Sequence, residues 1–129
     1  MVVLNVPRVY SNSVNFLWII YLHFRTWKIL CWNIHGLNLE KKWDPIRDKI
    51  AESNCDVVCL QETKRDNFDI HFVKRFCPSS FDCFEFLPSD GASGGIITIW
   101  KSHMFQDHLV FSNAFNLTVE FTSQHNEMV

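Results

Sequence analysis

The chain has 129 residues, of which 47% are apolar and 15% aromatic. That is material for one small packed domain or part of a larger one, and it excludes a disordered, collagenous or coiled-coil chain. A net charge of −2 excludes a protein that holds nucleic acid by bulk charge alone, because counterion release needs clustered Lys and Arg. The charge is uneven. Residues 1–64 carry eight Lys and Arg against six Asp and Glu, and residues 65–129 carry four against eight. A weak basic bias therefore lies in the first half.

The most apolar stretch is VNFLWIIYLHF, residues 14–24. It is shorter than the roughly 20 apolar residues that a membrane-spanning helix needs. It lacks an A-x-A-like cleavage site, which argues against a signal peptide. Residues 1–27 read as an appended segment ahead of a domain at 28–129.

KILCWN at 28–33 reads as a short buried strand, and His35-Gly36-Leu37-Asn38 as a turn. Asp44-Pro45 predicts a helix start, with Asp as N-cap and Pro at the first helical position. Ile46 and Ile50 share one face of that helix, and Ser53-Asn54 ends it. Asp56 to Leu60, DVVCL, lacks alternation and predicts a strand buried on both faces. Strand, helix and strand within some 30 residues predict an α/β layer with a parallel crossover.

Asp66 is the expected cap of a second helix carrying Phe68, Phe72, Val73 and Phe76, broken at Cys77-Pro78. Strands are expected at 82–87, 95–100, 107–111 and 116–122, the last with one wet face. Gly94-Gly95 precedes a strand and not a helix, so it reads as a turn or bulge and not a phosphate cradle.

The five cysteines stand at 31, 55, 59, 77 and 83. Cys31, Cys59 and Cys83 lie in apolar runs, where a free thiol behaves as a small hydrophobe. The odd count favours a reducing, intracellular compartment. The C-x3-C and C-x5-C spacings around His71 match no zinc knuckle.

Two polar clusters follow buried strands directly: Asn33-Ile34-His35-Gly36 and Gln61-Glu62-Thr63-Lys64. Ligands in open α/β sheets bind at the carboxyl ends of strands. Parallel neighbours would bring Asn33 and Glu62 to one edge. A carboxylate beside a carboxamide suits a hard cation such as Mg²⁺, which prefers oxygen ligands and keeps several waters. Asn33 would then hold a phosphate oxygen or orient Glu62. The structural alternatives are a solvated loop carboxylate at Glu62, a turn former at Asn33 and a loop histidine at His35.

KILCWNIHGLN, followed after a helix by CDVVCLQETK, resembles the start of the endonuclease/exonuclease/phosphatase superfamily, the DNase I-like group. FEFLPSDGASGGIITIW resembles the next stretch of one branch, the endonuclease of plant LINE-type (non-LTR) retrotransposons. The resemblance covers about Lys28 to Phe121. It implies a four-layer α/β sandwich and metal-dependent phosphodiester cleavage, or phosphomonoester hydrolysis in other branches. It implies Glu62 as ligand of Mg²⁺ or Mn²⁺, Asn33 in the catalytic and metal shell, and Lys64 near the substrate phosphate. DNA is the implied partner, with no membrane and no small-molecule cofactor, in an intracellular setting with the nucleus as a candidate.

The family pattern also has a GDFN-like and a late SDH-like motif, and neither occurs in these 129 residues. His103, His108 and His125 stand in no such motif. The expectation is thus a partial four-layer sandwich, truncated after its first half. It would be a catalytically incomplete endonuclease fragment, or a non-catalytic module that binds nucleic acid or protein. Half a two-sheet core should leave apolar faces and strand edges bare and the chain poorly soluble.

Overall fold

A computed structural model of the chain describes residues 2–7, 16–22, 25–91, 93–113 and 116–123. Its strands are β1 (Val2–Pro7), β2 (Phe16–Leu22), β3 (Arg25–Asn33), β4 (Val57–Gln61), β5 (Cys83–Leu87), β6 (Ile96–Trp100), β7 (Phe105–Ser112) and β8 (Asn116–Ser123). Two helices, α1 (Trp43–Ser53) and α2 (Ile70–Phe76), complete the α/β fold. A five-stranded sheet has the order β2-β3-β4-β6-β5, and a three-stranded sheet the order β1-β8-β7. Among the described residues only β3 and β4 pair in parallel, and α1 is their crossover.

The central strands of the five-stranded sheet are buried on both faces. Alternate residues along them explain why. Trp27, Ile29, Cys31, Val57, Cys59, Ile96 and Trp100 face a core shared with Leu4, Val6, Leu117, Val119 and Phe121 of the second sheet. Leu30, Val58, Leu60, Ile97 and Ile99 face the other way, onto Ile46 and Ile50 of α1 and Val73 and Phe76 of α2. The unbroken apolar run at β4 is the sequence mark of this double burial. The described residues thus form three layers: helices, sheet, sheet. A fourth layer is not among them.

Between the sheets the rings form a continuous stack. Phe105 lies 4.8 Å from Trp27 and 4.3 Å from Phe121, and Trp100 meets Phe121 edge-on at 4.9 Å. His108 adds a link between sheets: its Nε2 lies 2.9 Å from Glu85 Oε2 and its ring 4.8 Å from that of Trp100. Trp100 pairs with Val57, at the far end of β4 from Gln61. His108 therefore works in the scaffold, away from the Asn33–Glu62 edge. His103 is exposed in the short turn Ser102–Met104, and His125 lies outside the described residues.

Several boundaries differ from expectation. β3 begins at Arg25, three residues before KILCWN, because β2 pairs with it from Leu22↔Arg25 onward. Residues 1–27 thus supply β1 to one sheet and β2 to the other. The first helix starts at Trp43 and not after Asp44, because a 3-10 turn (Glu40–Lys42) leads into it. Pro45 still falls in the first turn, where its missing N–H costs nothing. The cap of α2 is Asp69 and not Asp66: its carboxylate accepts a 2.8 Å hydrogen bond from the Phe72 amide. Asn54 ends α1 in the left-handed region, as its sequence position suggests.

All five cysteines are free. Burial pushes the Cys55 and Cys77 thiols up from their ordinary range. Cys59 is raised by its bond with Cys31 and then by burial. These thiols are protonated, inert parts of the core.

Two outcomes follow from the packing. Phe121→Ala removes the ring at the centre of the aromatic stack and should cost about 3–5 kcal/mol in urea denaturation. On β7, Leu109 and Phe111 are 58% and 54% exposed, with Val110 between them. This is an apolar, open sheet edge. Phe111→Lys should raise the soluble yield while leaving the unfolding midpoint nearly unchanged.

Candidate functional site

Parallel pairing puts Asn33 opposite Gln61, so the two polar clusters leave the sheet side by side. The pairing continues beyond the strands. Ile34 N donates to Gln61 O (3.1 Å), Gly36 N to Glu62 O (2.7 Å) and Leu37 N to Thr63 O (3.0 Å). On the other flank, Thr63 N donates to Gly95 O (3.1 Å) and Lys64 N to Gly94 O (2.8 Å). The QETK loop is therefore clamped from both sides by main chain.

The clamp demands unusual backbone. His35, Glu62 and Lys64 have φ of 53°, 52° and 58°, and Gly36, Gly94 and Gly95 are positive as well. Left-handed conformations at His, Glu and Lys cost conformational energy and persist only where surroundings hold them. At Gly95 a Cβ would stand 2.3 Å from Thr63 Oγ1 and 3.3 Å from the Lys64 amide nitrogen. Gly94-Gly95 is thus a turn whose lack of side chains lets the QETK loop lie against it.

Within this frame Asn33 and Glu62 meet. Asn33 Nδ2 donates to Glu62 Oε2 at 2.5 Å, and Asn33 Oδ1 accepts from the His35 amide at 3.1 Å. These two partners fix which way the carboxamide faces. Its oxygen is engaged by main chain and its nitrogen by the carboxylate, so Asn33 stands here as the residue that orients Glu62. His35 Nδ1 lies 3.5 Å from the same Glu62 oxygen; the Glu62 side chain is 26% exposed and that of His35 56%. Asn33 is buried.

Residues with no site role expected from the sequence, Asn38, Lys42 and Arg65, surround this pair together with Lys64. Asn38 Nδ2 donates to Lys64 O (3.1 Å), and Arg65 Nη1 donates to Asn38 Oδ1 (3.0 Å). The Arg65 guanidinium sits 3.6 Å over the Phe72 ring, tying the loop to α2. Lys42 reaches the 34–36 turn. Lys64 is exposed, and its stem passes 3.3 Å from where a Cβ of Gly36 would be. Beside Asn33 opens a cleft of about 390 Å³, lined in part by Trp32, His35, Lys41 and Pro45. Asn38 was legible only as the last residue of the first motif's turn, and Lys42 only by its place between the two motifs.

A family model, the endonuclease/exonuclease/phosphatase family, matches residues 30–121. The chain belongs to the endonuclease/exonuclease/phosphatase family. The match spans both clamped loops, Gly94-Gly95 and the strands that carry them. Phosphodiester cleavage on nucleic acid is the activity this family suggests, and its members are generally dependent on a divalent metal. No curated protein matches the chain. Among the described residues, no helix is long and apolar enough to cross a membrane. No group of three His, Cys, Asp or Glu gathers around one point among them either. Glu62 offers one partly exposed carboxylate, and a hard divalent cation asks for one or two and keeps the rest of its shell as water.

The backbone clamp is testable without any assay of activity. Gly95→Ala should destabilise the chain by about 1–3 kcal/mol from backbone strain alone, with the Thr63 clash added. Removing the clashing oxygen in a Gly95→Ala, Thr63→Ala double variant should recover part of that loss. Denaturation midpoints of the four proteins in the cycle give the coupling.

Proposed function

We propose that this chain is a piece of a Mg²⁺- or Mn²⁺-dependent endonuclease domain of LINE-type retrotransposon origin, acting on DNA. The observation that carries the reading is the Asn33–Glu62 hydrogen bond of 2.5 Å at the carboxyl edge of two parallel strands. It supports Glu62 as the metal ligand, with Asn33 holding the carboxylate in one rotamer. The branch rests on FEFLPSDGASGGIITIW at 84–100. Free cysteines at all five positions accord with work inside the cell, the nucleus being the compartment proposed.

The chemistry asked of these residues is limited. The divalent ion, when bound, offsets charge on the phosphate and the leaving oxygen. Glu62 would hold that ion through a carboxylate oxygen. Asn33 lowers the freedom of Glu62, so less order has to be gained on binding. Lys64, exposed on the same loop, would meet the phosphate. Lys41 and Lys64 add positive charge around one carboxylate, so the local field attracts a polyanion although the whole chain is at −2.

These 129 residues contain no GDFN-like or SDH-like motif. General acid–base groups are worth about 10²–10⁴ in rate, so we propose that this stretch by itself is catalytically incomplete. A module that binds nucleic acid without cutting it is the alternative, favoured only by the same basic rim.

Supercoiled plasmid with Mg²⁺ tests the reading. The expected result is trace nicking that disappears in Glu62→Ala and rises when a polypeptide carrying the two later motifs is added. Nicking equal in wild type and Glu62→Ala would remove the carboxylate from the reaction. Salt-dependent binding with no nicking under either condition would favour the binding module.

A further inference from the structure

The turn between the two clusters is held from behind by a single ammonium group. Lys42 Nζ donates to Ile34 O (3.1 Å), His35 O (2.9 Å) and Gly36 O (3.1 Å). A lysine ammonium has three N–H donors and no acceptor. All three are used, one on each carbonyl, so Lys42 has none left for a phosphate. Lys41, its neighbour in the cleft lining, is exposed.

The same three peptide units face the site with their other ends. The Ile34–His35 unit gives its carbonyl to Lys42 and its N–H to Asn33 Oδ1. The His35–Gly36 unit gives its carbonyl to Lys42 and its N–H to Glu62 O. The Gly36–Leu37 unit gives its carbonyl to Lys42 and its N–H to Thr63 O. A positive charge on the carbonyl end of a peptide polarises it and strengthens the bond its N–H makes. The charge also helps hold His35 at positive φ, a conformation that costs a non-glycine residue energy.

We infer that Lys42 is a positioning residue of the metal and phosphodiester site, acting through three polarised peptide units on Asn33 and the Glu62 loop. The functional half of this statement rests on the reading given under Proposed function; the structural half does not. Deleting the ammonium would leave three carbonyls aimed at one point, a ready seat for a small ammonium ion.

The test uses the ¹⁵N-labelled 129-residue chain and three variants: Lys42→Met, which keeps the apolar stem, Lys42→Ala, and Lys41→Ala as control. Amide exchange at His35, Gly36 and Leu37 and the side-chain resonance of Asn33 report the turn. Mn²⁺ binding, followed by paramagnetic broadening around Glu62, reports the site. In Lys42→Met and Lys42→Ala, exchange at the three amides should rise about tenfold or more. The Asn33 resonance should move, and Mn²⁺ should bind several-fold more weakly. Propylammonium should restore both readouts in Lys42→Ala and neither in Lys42→Met, whose stem fills the path. Lys41→Ala should match wild type in exchange. Unchanged exchange and an unmoved Asn33 resonance in a folded Lys42→Met protein would overturn the inference. If Lys42→Ala does not fold, Lys42→Met carries the test. If wild type shows no Mn²⁺ broadening near Glu62, the metal-site reading falls, and the exchange data still decide whether Lys42 organises the turn.

Discussion

The parallel register of β3 and β4 is the constraint on which the rest of this molecule depends. It places Asn33 across from Gln61, and the ladder then runs on through three further main-chain bonds beyond the strand ends. Because the strands are parallel, both chains leave the sheet at the same edge, and their polar residues have to share a small volume. An antiparallel pair would have sent them to opposite ends. The crossover helix α1 makes the register possible, and its Ile46 and Ile50 hold it against Leu30, Val58 and Leu60.

The division of labour between main chain and side chain is clear-cut. Main-chain bonds set the path of the two loops. Side chains then do three separable jobs: Asn33 turns the carboxylate, Lys42 gathers the carbonyls of the turn, and Arg65 with Asn38 closes the outer flank. Lys64 on the QETK loop and Lys41 of the cleft wall are exposed cations beside these groups.

Much of this was legible in the sequence, for physical reasons. The apolar run at 57–60 and the Ile46/Ile50 spacing carry the period of a doubly buried strand and an amphipathic helix, and both elements formed. The placement of Asn33 and Glu62 on one edge followed from the strand–helix–strand order. Other features left no readable trace. Asp66 and Asp69 are equally good caps by type; in the fold Asp69 caps the helix and Phe68 packs into the core just ahead of it. Lys42 reads as one more charge on a polar turn, since nothing in a sequence shows that three carbonyls will converge on it. The pairing of β1 with β8 spans the chain from residue 2 to residue 121, and contacts that distant have no local signal.

The left-handed backbone at Glu62 has one last implication. With φ at 52°, position 62 is a place where glycine or asparagine would be more comfortable than any longer residue. The chain therefore spends conformational energy to display an acidic group there. Exchange for glycine would relieve that backbone strain but leave the buried Asn33 Nδ2 without its carboxylate partner. Position 62 thus sits between two opposed local demands, an unstrained backbone and a satisfied polar neighbour.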